Sequence, residues 1–283
     1  MALLGNLTGS SQFFNPNNFY NGIATQSLRF NDDDSAYLSR TPSSTTNRKT
    51  FTFSAWVKGA DAALQTLFSG GTGSGDDTLN FRIDDGLMSV NNGTAVYRKT
   101  TQYLRDFSAW YHVVLAVDTT QSTDTNRIKL YVNGTLITAF QGIGTIPSQN
   151  TDVGVNQDEL HTIGRRANLA DRYLNGYMAE VNFVDGTQYD ASYFGETKNG
   201  VWIAKTPNVT YGTNGFRLEF KQTGTGTASA STIGADTSGN TNHFTSSGIV
   251  ASDCSLLDSP ENNWCTLNPL DTRSSFAISE GNT

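Results

Sequence analysis

Between residues 27 and 195, apolar and polar positions alternate with the two-residue period of a β-strand rather than the 3.6-residue period of a helix. In 51–58, Phe51, Phe53, Ala55 and Val57 share one face while Thr52, Ser54, Trp56 and Lys58 share the other. In 110–118, Val113, Leu115 and Val117 oppose His112, Val114 and Ala116; in 127–132, Ile128, Leu130 and Val132 oppose Lys129 and Tyr131. The same phase turns Phe81 and Ile83 inward with Arg82 outward, and Val181 and Phe183 inward with Glu180 and Asn182 outward. Further strands are expected at 27–30, 36–39, 64–69, 78–83, 87–90, 135–139, 161–164 and 177–184. Asn133-Gly134 separates two of these runs, and both residue types tolerate the positive φ of a two-residue type I′ hairpin. Only 190–194 reads as helical, and for a single turn.

Many short strands joined by Gly, Asn and Asp turns predict an all-β antiparallel sandwich or barrel. Composition agrees: 27 Gly and 16% charged residues suit a turn-rich β protein, and 11% aromatic residues supply apolar area for a core. Three zones follow. An N-terminal arm over 1–22 carries Phe13, Phe14, Phe19 and Tyr20 as candidate assembly contacts. The sandwich is expected over 23–198. Residues 199–283 read as a β annex and a Gly/Thr/Ser-rich linker, with one strand at 216–220 and no core of their own.

A net charge of -7 argues against nucleic acid as a partner, because such affinity rests on basic neutralisation of phosphates. No apolar run approaches the ~20 residues that span a bilayer, and Met1-Ala-Leu-Leu lacks the basic start of a secretory leader, so no membrane insertion is expected. Cys254 and Cys265 match no zinc-ligand spacing, and two unrelated thiols are favoured over a disulfide.

The outward faces mix aromatic rings with hydrogen-bonding side chains, the combination that grips the apolar face and the hydroxyls of a sugar. Trp56, Arg82, His112, Tyr131, Glu180 and Asn182 are the glycan-binding candidates. The competing reading covers Trp56 with a loop or with the N-terminal arm, since half-buried Trp on a sheet is common. Catalytic signatures are weak. The histidines His112, His161 and His243 come without a Gly-X-Ser-X-Gly elbow, and the spaced glycines Gly70, Gly71, Gly73 and Gly75 lack the Lys and helix of a phosphate loop.

Taken in order, Ser27-Leu-Arg-Phe-Asn31, Phe51-Thr-Phe-Ser-Ala-Trp-Val-Lys58, Trp110-Tyr-His-Val-Val114, Leu130-Tyr-Val-Asn-Gly134, Thr162-Ile-Gly164 and Leu174-Asn-Gly-Tyr-Met-Ala-Glu-Val-Asn-Phe183 resemble the concanavalin A-like, laminin-G-type domains. The resemblance covers about residues 25–195 and implies a jelly-roll sandwich of two curved antiparallel sheets. Glucanases of that superfamily carry Glu-X-Asp-X-(X)-Glu on one strand; here Glu180 matches, but Asn182 and Val184 stand where further acids belong, so no hydrolase is expected. Relatives often bind Ca²⁺ at the rim, which makes Asp76 and Asp77 the metal candidates and Ca²⁺ the one cofactor the resemblance admits, against the reading of plain solvated turn acids. Residues 236–244 and 259–271 are similar to segments of structural proteins from marine tailed bacteriophages. That second resemblance implies a virion fibre, decoration or adhesin component assembled in the host cytoplasm. Its partners would be other virion proteins, further copies of itself (a trimer by the fibre analogy) and host-surface polysaccharide. The alternatives are a secreted or surface carbohydrate-binding module without a virion role, and a polysaccharide hydrolase.

Overall fold

The computed structural model describes residues 19–142 and 144–267, so Phe13 and Phe14 of the expected assembly arm lie outside the described residues. The strands are β1 (Leu28–Phe30), β2 (Tyr37–Arg40), β3 (Thr50–Gly59), β4 (Gln65–Gly70), β5 (Leu79–Asp84), β6 (Leu87–Asn91), β7 (Val96–Tyr103) and β8 (Tyr111–Asp118). They continue with β9 (Ile128–Val132), β10 (Thr135–Leu136), β11 (His161–Ile163), β12 (Gly176–Asp185), β13 (Gly195–Lys198), β14 (Val201–Ala204), β15 (Phe216–Leu218) and β16 (Thr245–Ser247). Among the described residues two seven-stranded antiparallel sheets form. Sheet I has the order β1-β12-β3-β8-β9-β10, with β15 also on β12; sheet II has the order β16-β2-β11-β4-β5-β6-β7. The molecule is the expected all-β sandwich.

The alternation read from the sequence sets which residues meet between the sheets. Phe51, Phe53, Ala55 and Val57 of β3, Val113, Leu115 and Val117 of β8, and Val181 and Phe183 of β12 join Phe68, Phe81, Val90 and Ile163 of sheet II in one buried cluster. Phe53 stacks on Phe68 at 5.0 Å and Phe68 meets Phe183 at 5.3 Å, so aromatic contacts bind the two layers at their centre. Asn133 and Gly134 adopt φ of 46° and 80°, the two positive values the I′ hairpin between β9 and β10 requires. The helical turn forms at Ala191–Tyr193, capped by the Asp190 carboxylate accepting from the Ser192 N–H.

Two findings depart from the sequence reading. Strand β7 and the β13–β14 ribbon were not expected, because Arg98-Lys-Thr-Thr-Gln102 and Gly195-Glu-Thr-Lys198 lack apolar alternation. The second concerns residues 199–267, which are no appended annex. β15 completes sheet I by pairing Phe216 with Phe183 and Leu218 with Val181. β16 extends sheet II along β2, and Phe216, Leu218, Phe220, Ile233 and Phe244 lie in the main core. Glycines and small polar residues dominate this stretch because its path is turns packed on the sandwich, not a linker.

A Phe216→Ala variant tests that integration. Phe216 stacks on Phe183 at 5.4 Å and meets Phe244 at 4.7 Å. Its truncation is expected to cost about 3–5 kcal/mol in a single denaturant transition. An unchanged midpoint would mean that the C-terminal segment adds nothing to the core.

Candidate functional site

The outer face of sheet I, where the aromatic candidates lie, is covered. Trp56, His112 and Tyr131 are 5%, 1% and 8% exposed, and this corrects the expectation of an open sugar-binding face. The cover consists of the β13–β14 ribbon, residues 22–27, and residues 256–264. Trp202 of β14 stacks on the His112 ring at 5.9 Å, and His112 in turn meets Trp56 at 5.1 Å. Trp202 reaches this depth because Gly134 and Gly195 lie beneath it; a Cβ on either would fall 2.5 or 2.6 Å from its ring. The Trp202 indole N–H donates to His112 Nδ1 at 3.1 Å, so the proton of the neutral ring sits on Nε2 and is given to Ser54 Oγ at 2.8 Å. With that tautomer His112 takes no proton from Ser54, and burial pushes its pKa down to about 3. The pair is a structural clamp, not a nucleophile and base. His161 is built alike: it donates to Glu159 O at 2.8 Å, accepts from the Asn156 N–H at 3.1 Å, and burial pushes it down to about 4.

Lys58 fastens the other end of the cover. Its ammonium donates to Asp258 Oδ2 (2.9 Å), Asn263 Oδ1 (2.9 Å) and Trp264 O (2.7 Å), while Asp258 Oδ1 accepts from the Trp110 indole N–H at 3.1 Å. Glu261 then ties in the N-terminal side, its carboxylate accepting from the backbone N–H groups of Gly22, Ile23 and Ala24. Phe19 and Tyr20, the described members of the expected arm, lie edge to face at 5.0 Å, with the Lys198 ammonium of β13 5.8 Å from the Phe19 ring.

Glu180 and Asn182 sit on β12 at a bulge where its edge changes partner from β1 to β15. Glu180 has φ of 47°, and Arg217 of β15 donates to its Oε2 from Nε (3.0 Å) and Nη2 (2.9 Å), leaving Oε1 buried without a partner. Burial raises the Glu180 carboxyl to about 7 despite Arg217. A second carboxylate, invisible at strand spacing in the sequence, does come near: Glu219, 3.3 Å from the same Arg217. Burial works against its charge, but Lys221 and Arg217 outweigh that and lower its pKa. The guanidinium binds both acids, so this is an internal ion network. Asn182 is 1% exposed and accepts from the Tyr211 hydroxyl at 2.6 Å.

The metal candidates are engaged internally. Asp76 accepts from the Tyr97 hydroxyl and from Asn92, and Asp77 pairs with Arg48 at 2.8 Å. Among the described residues no group of three or more His, Cys, Asp or Glu side chains is placed to hold a metal ion. Cys254 and Cys265 are free thiols.

Arg82, alone among the glycan candidates, lies on sheet II, and its surroundings differ. Two polar rows cross the outer face there. In the first, Thr162, Ser69, Asn80 and Asn91 stand side by side on β11, β4, β5 and β6. Ser69 donates to Asn80 at 2.9 Å, Asn80 donates to Asn91 at 3.2 Å, and the Ala167 N–H donates to Ser69 at 2.9 Å. The second row is Thr66, Arg82, Ser89 and Lys99 on β4 to β7. Lys99 reaches Asp84 at 2.7 Å, but Thr66 Oγ1, Arg82 Nε and Ser89 Oγ are buried without a hydrogen-bond partner, as is Asn91 Nδ2 beside them. The 164–175 loop borders these rows. Arg165 lies 4.0 Å over the Tyr37 ring, Asn168 approaches Gly93, and the Arg172 carbonyl accepts from the Thr66 N–H. Sequence phase turned Arg82 outward but gave no sign that its row would go unpaired, since that depends on which neighbours the register supplies. A separate cleft of about 320 Å³, lined by Arg98, Lys129, Leu136 and Phe140, opens beside β9 and β10 and contains none of the expected site residues.

A family profile described as the Concanavalin A-like lectin/glucanases superfamily matches residues 31–192, more than half of the chain. A candidate carbohydrate-binding protein from Bacteroides ovatus superposes with a TM-score of 0.52 at 20% identity, over 80% of this chain and 59% of that one. This chain therefore spans less than two thirds of that protein. The heptameric SAP-like pentraxin of Limulus polyphemus superposes at 0.43 and 13% identity, over 60% of this chain and 80% of that one. Domains LG4-5 of the mouse laminin alpha1 chain give 0.43 and 12%, over 73% and 52%. At these identities the likeness is one of fold. No curated protein matches the sequence.

The buried titrating groups oppose each other. Between 6.5 and about 4 the folded chain keeps His112 and His161 neutral while unfolded histidines take up protons, so their contribution is full above 6.5 and falls with falling pH. Glu180 acts in reverse: its protonated form is favoured in the fold, so its contribution is full below 4.5 and is lost as pH rises to about 7. In Glu180→Gln the fall in melting temperature from pH 6.5 to pH 4.5 is expected to steepen. Parallel melting curves for variant and parent would refute this assignment.

Proposed function

The chain belongs to the concanavalin A-like lectin/glucanases superfamily, and on that premise we propose that it is a carbohydrate-binding protein without hydrolytic activity. Its ligand docks on the outer face of sheet II over Arg82, which at 7% exposure is the least buried of these four, with Thr66, Ser89 and Asn91 packed beneath. The observation that carries this reading is the row of buried hydroxyl, guanidinium and amide groups that lack partners within the protein. Polar groups left unpaired in a folded core each cost about 1–3 kcal/mol. A fold that retains several side by side is one in which something else pairs with them, and sugar hydroxyls both donate and accept. Carbohydrate binding is also the candidate role of the Bacteroides ovatus neighbour. Hydrolysis is disfavoured because the two neighbouring acids, Glu180 and Glu219, are both bound by Arg217 rather than set either side of an open cleft.

The similarity of residues 236–244 and 259–271 to marine phage structural proteins supports display on a virion, in several copies and facing host polysaccharide. Immunogold labelling of purified particles tests this placement; unlabelled particles would leave a carbohydrate-binding module without a virion role.

The binding site is tested by retention on immobilised host-envelope polysaccharide, with reducing-end release assayed in parallel. Arg82→Gln removes the unpaired guanidinium of that row and is expected to weaken retention about fivefold with no loss of thermal stability. Trp56→Phe, beneath the cover of sheet I, is expected to leave retention unchanged. Retention that follows Trp56 instead, or sugar release, would overturn the assignment.

A further inference from the structure

We propose that the chain cross-links itself, an amide bond forming between Lys58 Nζ and Asn263 Cγ with Asp258 as the proton carrier. The three groups already meet. Nζ lies 2.9 Å from Asn263 Oδ1 and 2.9 Å from Asp258 Oδ2. Lys58 is 1% exposed, and two aromatic rings flank the contact: the Trp110 indole N–H donates to Asp258, and the Tyr177 ring centroid lies 6.0 Å from Nζ. Lys99 and Lys221 differ, since each reaches a carboxylate alone and keeps part of its side chain in water. The Asn263 amide is held at both ends, its Nδ2 donating to Ser108 O at 2.9 Å while its Oδ1 accepts from Nζ. The ionic clamp described above is the arrangement from which the bond forms. The inference is independent of the carbohydrate reading and uses none of its residues.

An ammonium has no lone pair, so the first step moves one proton from Nζ to Asp258 Oδ2 along their contact. Away from water an ion pair loses its hydration, which brings the neutral amine and acid within reach. Asp258 Oδ1 accepts from the Trp110 indole and from the Trp264 N–H, as a carbonyl oxygen can, and this leaves Oδ2 to take the proton. A turn about the Cε–Nζ bond then aims the freed lone pair at Asn263 Cγ. The Nζ–Cγ bond forms and the Cγ–Nδ2 bond breaks. Nζ sheds two protons in all; both pass through Asp258 to the departing nitrogen, which leaves as ammonium. Asp258 ends as the carboxylate it began as, nothing is oxidised or reduced, and no co-reactant is consumed. Asn263 is exposed, so the ammonium has a path to solvent. Holding amine and amide in contact supplies the proximity that the two groups lack when free in solution.

The bond spans a sequence separation of 205 residues, and cross-links that close long loops remove the most disorder from the unfolded chain. Mass spectrometry of the denatured full chain tests it. Expected is a mass lower than that of the sequence by one ammonia, together with a tryptic pair in which the peptide carrying Lys58 is joined to the one carrying Asn263. Asn263→Ala changes an exposed position and keeps the Lys58–Asp258 pair. It should show its unmodified mass and melt on the order of 10 °C below the parent. Asp258→Asn keeps an oxygen for Nζ but cannot take its proton, and should also stay unlinked. The mass of the parent decides the matter whether or not these variants fold. A parent that keeps its full sequence mass after prolonged incubation of the folded protein would overturn the cross-link. Ammonia lost from an Asn-Gly pair, without the joined peptides, would overturn it equally, because a succinimide there accounts for the same mass. Asp258→Asn linking as completely as the parent would overturn the role of Asp258.

Discussion

A lysine ammonium can be taken out of water only if each of its three N–H groups finds an oxygen, and at Lys58 all three do. Asp258, Asn263 and the Trp264 carbonyl come from one short stretch about 200 positions further along the chain, so a single side chain fixes where that stretch lies. Through Asp258 it fixes the Trp110 indole, and through the adjoining Glu261 it fixes the backbone at 22–24. Desolvating an ammonium costs several kcal/mol, on the order of what the pairing returns, so the clamp contributes position more than net stability. Position is what the cover requires, because the face beneath it carries Trp56, Tyr177 and Ala179, an apolar patch that would otherwise be open to water.

The two outer faces thus solve opposite problems. On sheet I three of the candidates have internal partners, His112 in Trp202 and Ser54, Asn182 in Tyr211, and Glu180 in Arg217 through one of its two oxygens. On sheet II the first polar row is satisfied from within as far as the Asn91 amide, whose Nδ2 is unpaired, and in the second row Lys99 is paired while Thr66, Arg82 and Ser89 keep unpaired atoms. Position within one sheet, two residues along each strand, separates a structural ladder from a surface that still seeks partners.

Alternation legible in the sequence identified the sandwich and the inward set, because a two-residue period needs no knowledge of neighbours. Phe51, Phe53, Val113, Leu115 and Val181 point where the pattern sends them. Outwardness was legible too, but not exposure. Trp56 and His112 do face away from the core, and Trp202, arriving later in the chain with the rest of the cover, buries them. The same limit hid the role of residues 199–267, where Phe216 and Phe244 are single aromatics in glycine-rich turns rather than members of a periodic run. Arg82 was legible as an outward cation. That it would lie unpaired between Thr66 and Ser89 was not, since pairing across strands is set by register and not by any local window.

The split edge of β12 has a bearing on biosynthesis. Its first half pairs with residues 28–30 and its second with residues 216–218, while β2 near the N-terminus waits for residues 245–247. Neither sheet is complete until most of the chain has left the ribosome, and the contacts that close them span long sequence distances, the topology that folds slowly. A nascent chain stalled before residue 216 presents an unfilled β12 edge and the face of Phe183 on which Phe216 stacks, a surface for self-association. The last segments to be made are therefore the ones that close the edges an unfinished chain leaves open.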